Sequence, residues 1–284
     1  MTIAVTGAAG HFGRHAIASL LARGISPGEI IAVVRNPGGA ADLAAEGIVV
    51  RAAAYEDSAA LREAFAGAER LLFISGSEVG SRVPQHTNII DAAGAAGVGL
   101  IAYTSLLRAD SSGLALAEEH RATEALLASS GIDHVLLRNG WYWENYASQF
   151  ASARSVGHSY GAAGAGLVSA AARNDYAEAA AEVITREGQA GRTYELAGSP
   201  ALDYPGIASA IGSVIGSTVT YVDLSEEALA LAMEEAGTPG PLARMFAGMD
   251  TAIAAGALQG DGRELSGLIG RPTTTAATAL RALA

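Results

Sequence analysis

Ile3-Ala4-Val5-Thr6-Gly7-Ala8-Ala9-Gly10-His11-Phe12-Gly13 is the stretch on which the fold class of this chain turns. A short apolar run, Ile3–Val5, meets three glycines spaced G-x-x-G-x-x-G, and an amphipathic pattern continues through Gly13–Ala22. The glycines of such a loop are there for physical reasons, namely a tight turn, close approach of backbone to a pyrophosphate, and close packing of helix on strand. The N–H groups that open the helix then face the anion. Gly7, Ala8, Ala9, Gly10, His11 and Phe12 are thus candidate contacts of a dinucleotide, with an ordinary glycine turn as the alternative.

The alternation continues outward from this loop. Ile30–Val34, Ile48–Val50, Leu71–Ile74, Leu100–Tyr103 and Val135–Leu137 are short runs rich in Val, Ile and Leu, suited to buried parallel strands. Between them Ser58–Ala66, Val83–Ala93 and Leu116–Ala128 repeat apolar residues at three- and four-residue spacing, as crossover helices do. The pattern predicts an α/β fold: a Rossmann-type doubly wound parallel sheet, with ligands at the carboxyl ends of its strands. Residues 1–140 read as the dinucleotide-binding domain and 141–284 as a smaller C-terminal α/β substrate lobe packed continuously with it. In that lobe the stretch from Arg154 to Arg173 reads as a glycine-rich loop. Asp175-Tyr176-Ala177-Glu178 reads as a helix start with a reciprocal cap. Thr193–Leu196 and Val219–Val222 read as strands, and Ser225–Ala236 as a helix capped by Ser225.

Composition removes several function classes. The 284 residues carry 29 acidic and 18 basic side chains, a net charge of −11, with half the residues hydrophobic and 17% charged, which is globular rather than disordered. Every basic residue is an arginine and they are scattered singly, so no patch for nucleic acid or an anionic membrane surface is expected. The absence of cysteine excludes disulfides, thiolate metal sites and cysteine nucleophiles. The six histidines show no H-E-x-x-H spacing, and no metal is expected. A Walker loop lacks its lysine. A charged leader and a long apolar span are also missing, which points to the cytoplasm. The oligomeric state stays open, a homodimer included.

The second strand runs into Arg35, where an acidic residue would select the 2′-hydroxyl of NAD. A guanidinium suits a 2′-phosphate by charge and bidentate geometry, which favours NADP(H), with NADH still possible; a surface arginine is the alternative. Tyr55-Glu56-Asp57 either approaches the adenine or supplies the cap of the next helix, the cap being favoured. Ser75-Gly76-Ser77 lies along the far ribose and nicotinamide, or forms a plain turn. The lack of lysine also removes the Tyr-x-x-x-Lys pair, in which lysine lowers the tyrosine pKa for proton transfer. An acceptor that takes hydride without prior protonation, such as a quinone, fits that absence.

Arg138-Asn139-Gly140-Trp141-Tyr142-Trp143-Glu144-Asn145-Tyr146 gathers both tryptophans and two of nine tyrosines at the end of the sixth strand. Flat aromatic faces there enclose a nicotinamide or a quinone, with Asn139, Glu144 and Asn145 orienting it, or else form a hinge that packs the lobe on the sheet. Arg173 reaches the cofactor or pairs with Asp175 or Glu178. His86 and His120 read as surface or packing residues.

The segments Thr6–Gly13 (TGAAGHFG), Val33–Pro37 (VVRNP), Ser75–Gly80 (SGSEVG), Ala102–Leu107 (AYTSLL), Leu136–Tyr146 (LLRNGWYWENY), Tyr194–Gly198 (YELAG) and Leu268–Thr275 (LIGRPTTT) carry a resemblance over nearly the whole chain. The chain resembles the NmrA-like atypical short-chain dehydrogenases/reductases, and within them the NAD(P)H:quinone oxidoreductases of type 2. The resemblance implies two-electron reduction of quinones by NADPH with no flavin. It also implies cofactor contacts at Gly7 through Phe12, Arg35, Ser75, Gly76, Ser77, Asn139, Gly140, Trp141, Tyr142, Trp143, Glu144 and Arg173. Asn145 falls where the family places a polar group near the substrate, and Tyr142 is the nearby phenol. His11-Phe12 departs from the polar residue and leucine usual there, as does the absence of lysine. Two other readings stay open: an NADP(H)-binding redox sensor of the NmrA type, and a reductase of a cationic dye, an imine or an unsaturated carbonyl.

Overall fold

Ile3, Ala4 and Val5 are all fully buried, and the five residues Ile30–Val34 are nearly so, as expected of strands covered on both faces. The computed structural model describes all 284 residues. Its first half runs β1 (Ile3–Val5), α1 (His11–Ala22), β2 (Ile30–Val34), α2 (Ala41–Ala45), β3 (Val49–Ala52), α3 (Ser58–Phe65), β4 (Arg70–Phe73), α4 (Arg82–Ala96), β5 (Leu100–Leu106), α5 (Ala117–Ser129) and β6 (Asp133–Asn139). The remainder is α6 (Ala147–Val156), β7 (His158–Gly161), α7 (Arg173–Thr185), β8 (Thr193–Leu196), α8 (Tyr204–Ile215), β9 (Thr220–Asp223), α9 (Glu226–Glu235), α10 (Gly240–Ala254), α11 (Arg263–Ile269) and α12 (Ala276–Leu280).

Seven strands form one sheet in the order β3-β2-β1-β4-β5-β6-β8. The pairs β1–β2, β1–β4, β2–β3 and β4–β5 are all parallel. Strand order reverses between β1 and β4, where a doubly wound sheet opens its ligand crevice. The predicted α/β class is therefore the one observed. Chain packing resolves into two units: Met1–Ala109, Glu118–Arg138 and Tyr176–Tyr194 form one, and Asp110–Ala117, Asn139–Asp175 and Glu195–Ala284 the other.

In the first unit the core follows the period of two that strands impose. Ala4, Ile31, Val33, Leu71, Phe73, Ile101 and Tyr103 share one cluster with Leu61 and Phe65 of α3 and Ile89 of α4. Expected strand Ile48–Val50 is displaced to Val49–Ala52, because the Ile48 N–H bonds the Leu43 carbonyl at the exit of α2. α4 stops at Gly97, which takes the left-handed conformation at φ 76° that a helix C-terminus favours.

In the second unit β7 pairs in parallel with β9, from His158 beside Thr220 to Gly161 beside Asp223. This corrects the expectation of a glycine-rich loop from Arg154 to Arg173. Glycine content hid the strand for a packing reason: a Cβ on Gly161 would lie 2.8 Å from the Tyr204 ring, and one on Gly166 2.6 Å from the Ile253 carbonyl. Ser225 caps α9 as expected, its hydroxyl accepting from the Ala228 N–H. The cap expected at Asp175 is not formed. α7 opens at Arg173, whose N–H donates to both oxygens of Glu144 at 3.0 and 3.1 Å. No helix is long and apolar enough to cross a membrane.

Candidate functional site

The glycine loop of the first unit has the geometry its spacing predicts. Gly7 sits at φ 59°, a conformation that side chains disfavour, and its carbonyl accepts from the Gly10 N–H at 2.9 Å. A Cβ on Gly13 would lie 2.4 Å from the Gly7 oxygen and 2.6 Å from the Ala8 Cα, so this contact of helix with loop admits only glycine. Gly10 is the N-cap of α1 and no side chain caps the helix, which leaves its N-terminus open to an anion. Ala8 and Phe12 are 0% and 7% exposed, so what they present outward is backbone, while His11 is exposed. Arg14, which no motif singles out, braces the loop by donating from Nε to the Ala9 carbonyl and from Nη2 to the Gly39 carbonyl.

Arg35 stands just beyond β2 with its side chain 74% exposed, its Nη1 3.2 Å from Glu78 Oε1. Gln85 donates to the other Glu78 oxygen at 2.9 Å. Of the alternatives for Tyr55-Glu56-Asp57, Asp57 is the cap of α3, accepting from the Ala60 N–H. The Tyr55 hydroxyl donates to the Ile74 carbonyl at 2.9 Å, and burial pushes its pKa up to about 12.

The Ser75–Ser77 segment is held by its backbone. The Ser75 N–H donates to Thr104 Oγ1 at 2.9 Å, the Gly76 carbonyl accepts from Arg82 Nε at 2.9 Å, and the Gly76 N–H donates to His86 Nε2 at 3.0 Å. Thr123 gives its own proton to the Glu119 carbonyl, so His86 must carry its proton on Nδ1, which faces Thr123 Oγ1 at 2.8 Å. Burial, with Arg82 and His120 adding to it, lowers the His86 pKa to about 3 and keeps this acceptor neutral. His120, also lowered to about 3 chiefly by burial, faces the Tyr103 hydroxyl at 2.8 Å. Both histidines are interior residues and not surface ones; His86 positions the loop through a partner ten residues away, which no motif announces.

In the second unit the residues of the aromatic segment make several distinct contacts. Asn139 is 3% exposed; its Nδ2 donates to the Tyr142 hydroxyl at 3.4 Å, and its Oδ1 is buried with no partner. The Arg173 guanidinium lies 4.9 Å from the centre of the Tyr142 ring and its Nη2 donates to Asn145 Oδ1 at 3.4 Å, so Tyr142, Asn145 and Arg173 come together. Burial raises the Tyr142 pKa, which keeps the phenol protonated. Trp143 is only 2% exposed and donates its indole N–H to the Thr274 carbonyl, while the Glu144 carboxylate is engaged by Arg173. Gly140 donates its N–H to Leu196, and Trp141 and Asn145 line a cavity of about 390 Å³.

Asp175, fully buried, accepts from Arg271 Nη2 at 2.8 Å and from the Thr274 N–H and Oγ1 at 2.7 and 2.9 Å. This accounts for the Leu268–Thr275 segment: it ties the start of α7 and Trp143 to one strap of chain.

Residues 7–187 match the family described as NAD(P)H-binding. Quinone oxidoreductase 2 of Escherichia coli (strain K12) is 51% identical over 275 residues, covering 97% of this chain and 96% of the relative. The chain belongs to the NAD(P)H-binding family, in its quinone oxidoreductase 2 group. Within this NAD(P)H-binding family, the structure of the Escherichia coli NADPH-dependent quinone oxidoreductase complexed with NADPH superposes with a TM-score of 0.95 at 50% identity, covering 99% of both chains. Triphenylmethane reductase of Citrobacter sp., complexed with NADP(H), gives a TM-score of 0.92 at 35% identity over 99% of this chain and all of the other. The resemblance read from the seven segments is borne out.

Proposed function

We propose that this protein is an NADPH-dependent reductase that converts quinones to hydroquinones by a two-electron step without flavin. The observation that carries this reading is the 51% identity, over nearly the full length, to a quinone oxidoreductase in a chain that keeps an intact glycine loop. The residues fit a dinucleotide: an uncapped helix N-terminus for pyrophosphate, an exposed Arg35 for a 2′-phosphate, and a buried, unpartnered Asn139 Oδ1 for a ligand N–H. When bound, the dihydronicotinamide supplies the hydride.

The chain's own residues then bind and orient. Gly7 through Phe12, Arg35 and the backbone of Ser75–Ser77 are assigned to the cofactor in the first unit, and Asn139 through Glu144 with Arg173 in the second. Asn145, exposed beside Arg173, orients the acceptor. With no lysine near, Tyr142 keeps its proton and acts as a hydrogen-bond donor, which suits acceptors that need no prior protonation. Residues 1–140 are proposed as the cofactor-binding part and 141–284 as the substrate part. The location is proposed as the cytoplasm, with small-molecule partners and no nucleic acid or membrane, in keeping with the net charge of −11. Similarity to triphenylmethane reductase favours a second reading in which a cationic dye is the acceptor.

The test is NADPH oxidation by purified, flavin-free protein, with and without a small quinone, repeated with NADH and with a cationic dye. Saturable quinone-dependent turnover that favours NADPH is expected. Tight NADPH binding with no turnover of any acceptor would refute the enzyme and leave a nucleotide sensor.

A further inference from the structure

Two backbone segments of the first unit are assigned to the cofactor, the glycine loop that leaves β1 and Ser75–Ser77 that follows β4. One side chain that belongs to neither meets both. Tyr55 follows β3, which β2 and β1 separate from β4 in the sheet. Its hydroxyl nevertheless donates to the carbonyl of Ile74, the residue that leads from β4 into Ser75, at 2.9 Å. A Cβ on Gly7 would lie 3.3 Å from the Tyr55 hydroxyl oxygen, and one on Gly76 3.7 Å from the Cδ2 of its ring. The phenol thus fills the space between two glycines, one in each segment.

The surroundings hold this side chain in place. Asn88 of α4 donates from Nδ2 to the Tyr55 carbonyl at 3.0 Å, which anchors the backbone from which the ring extends. Burial foremost pushes the Tyr55 pKa up to about 12, so the hydroxyl keeps its proton and stays a donor. Thr6 engages the same residue: its Oγ1 accepts from the Ile74 N–H at 2.9 Å and lies 3.4 Å from the Ile74 carbonyl oxygen. The bonds of Ser75 and Gly76 themselves run to Thr104 of β5 and to Arg82 and His86 of α4. Toward the glycine loop the tie is made at Ile74, by Thr6 and by Tyr55. With its hydroxyl committed to Ile74 and its ring edge to Gly76, Tyr55 is a spacer between the two segments.

We propose that Tyr55 is a positioning residue of the cofactor site: its phenol fixes the separation of the glycine loop and Ser75–Ser77, so that a nicotinamide dinucleotide meets both segments already in place. The inference rests on the assignment of these segments to NADPH. A ligand that must engage both at once gains from a fixed separation, because binding then carries no cost of ordering them. A ligand that engages one segment alone gains nothing.

The experiment is calorimetric titration of NADPH, NADH and adenosine 2′,5′-bisphosphate into the wild type and Tyr55→Phe. The variant keeps the ring and loses one hydrogen bond, so NADPH and NADH should both weaken by the same factor, about three- to tenfold. Adenosine 2′,5′-bisphosphate carries both phosphates of the adenosine half and no nicotinamide; it should bind the two proteins equally, which a general loss of structure would not allow. Hydrogen exchange at the Ser75 and Gly76 amides should quicken in ligand-free Tyr55→Phe and return to the wild-type rate with saturating NADPH. Asn88→Ala, which frees the Tyr55 carbonyl and keeps the phenol, should show the same pattern more weakly, and it carries the test should Tyr55→Phe not fold. Equal weakening of the bisphosphate, or a loss confined to NADPH, would overturn the positioning role. Dinucleotide binding indifferent to Tyr55→Phe would also overturn it and leave the cofactor reading standing. A wild type that binds neither dinucleotide would sink the cofactor reading itself.

Discussion

Replacing Arg35 with alanine should separate the two nicotinamide cofactors. In the ligand-free protein the Arg35 side chain is 74% exposed and meets the half-exposed Glu78 at 3.2 Å. An ion pair in that setting is worth about 0.2–1 kcal/mol, so Arg35→Ala should leave the melting temperature nearly unchanged. A charge-assisted contact with a 2′-phosphate is worth about 1.5–3 kcal/mol, which corresponds to roughly a ten- to 150-fold loss of NADPH affinity. NADH has no such phosphate and should bind as before. Because Glu78 holds the guanidinium that the phosphate would take, Glu78→Gln should tighten NADPH by up to about fivefold, the worth of the exposed pair. Calorimetric titration of both cofactors into the wild type and both variants gives the comparison, and higher salt should narrow the NADPH difference. An equal loss of NADPH and NADH in Arg35→Ala would refute the assignment of Arg35 to the 2′-phosphate.

Three other outcomes follow from the same geometry. Gly13→Ala, whose Cβ meets backbone atoms at 2.4 and 2.6 Å, should cost at least about 1–3 kcal/mol and lower NADPH affinity. Gly28→Ala, which meets nothing within 4 Å, is the control that should do neither in urea melts and NADPH titrations. Asp175→Ala removes the acceptor of three hydrogen bonds and should destabilise by about 2–4 kcal/mol in urea unfolding, as it leaves the Thr274 N–H unpaired. Stability should also fall on acidification, through two buried histidines. His86 and His120 are lowered to about 3 in the folded chain, against about 6.5 unfolded, so the unfolded state binds more protons between those values. Their contribution is complete above about pH 6.5 and declines below it, by roughly 2–3 kcal/mol between pH 7.5 and 5.5. Denaturant midpoints that stay flat over that interval would show that these rings are charged in the folded state.

Local pattern was enough for much of this protein. The β1 and β2 runs, Thr193–Leu196, the glycine loop and the Ser225 cap each declare themselves within a few residues, because backbone conformation and strand period act at short range. The missing lysine and cysteine likewise exclude whole chemistries without any coordinates. One reading was decided between open alternatives, Asp57 being a cap, while Arg173 meets Tyr142 and Asn145, a pairing that neither of its alternatives named.

Other features depend on partners far away in the chain. β7 was illegible because Gly161 owes its identity to the Tyr204 ring, and Asp175 looked like a cap because its true partner, Arg271, is 96 residues away. The neutral acceptor on His86 requires Thr123 and Gly76 together, from separate elements. Tyr146 is the clearest case. The sequence placed an aromatic side chain beside Asn145, but only packing shows that burial withdrew its hydroxyl from water while Asp250 engaged the neighbouring Tyr204. Secondary structure follows from dihedral preferences and the period of apolar residues, whereas burial, protonation state and an unmet hydrogen bond are properties of surroundings that tertiary contact alone assembles.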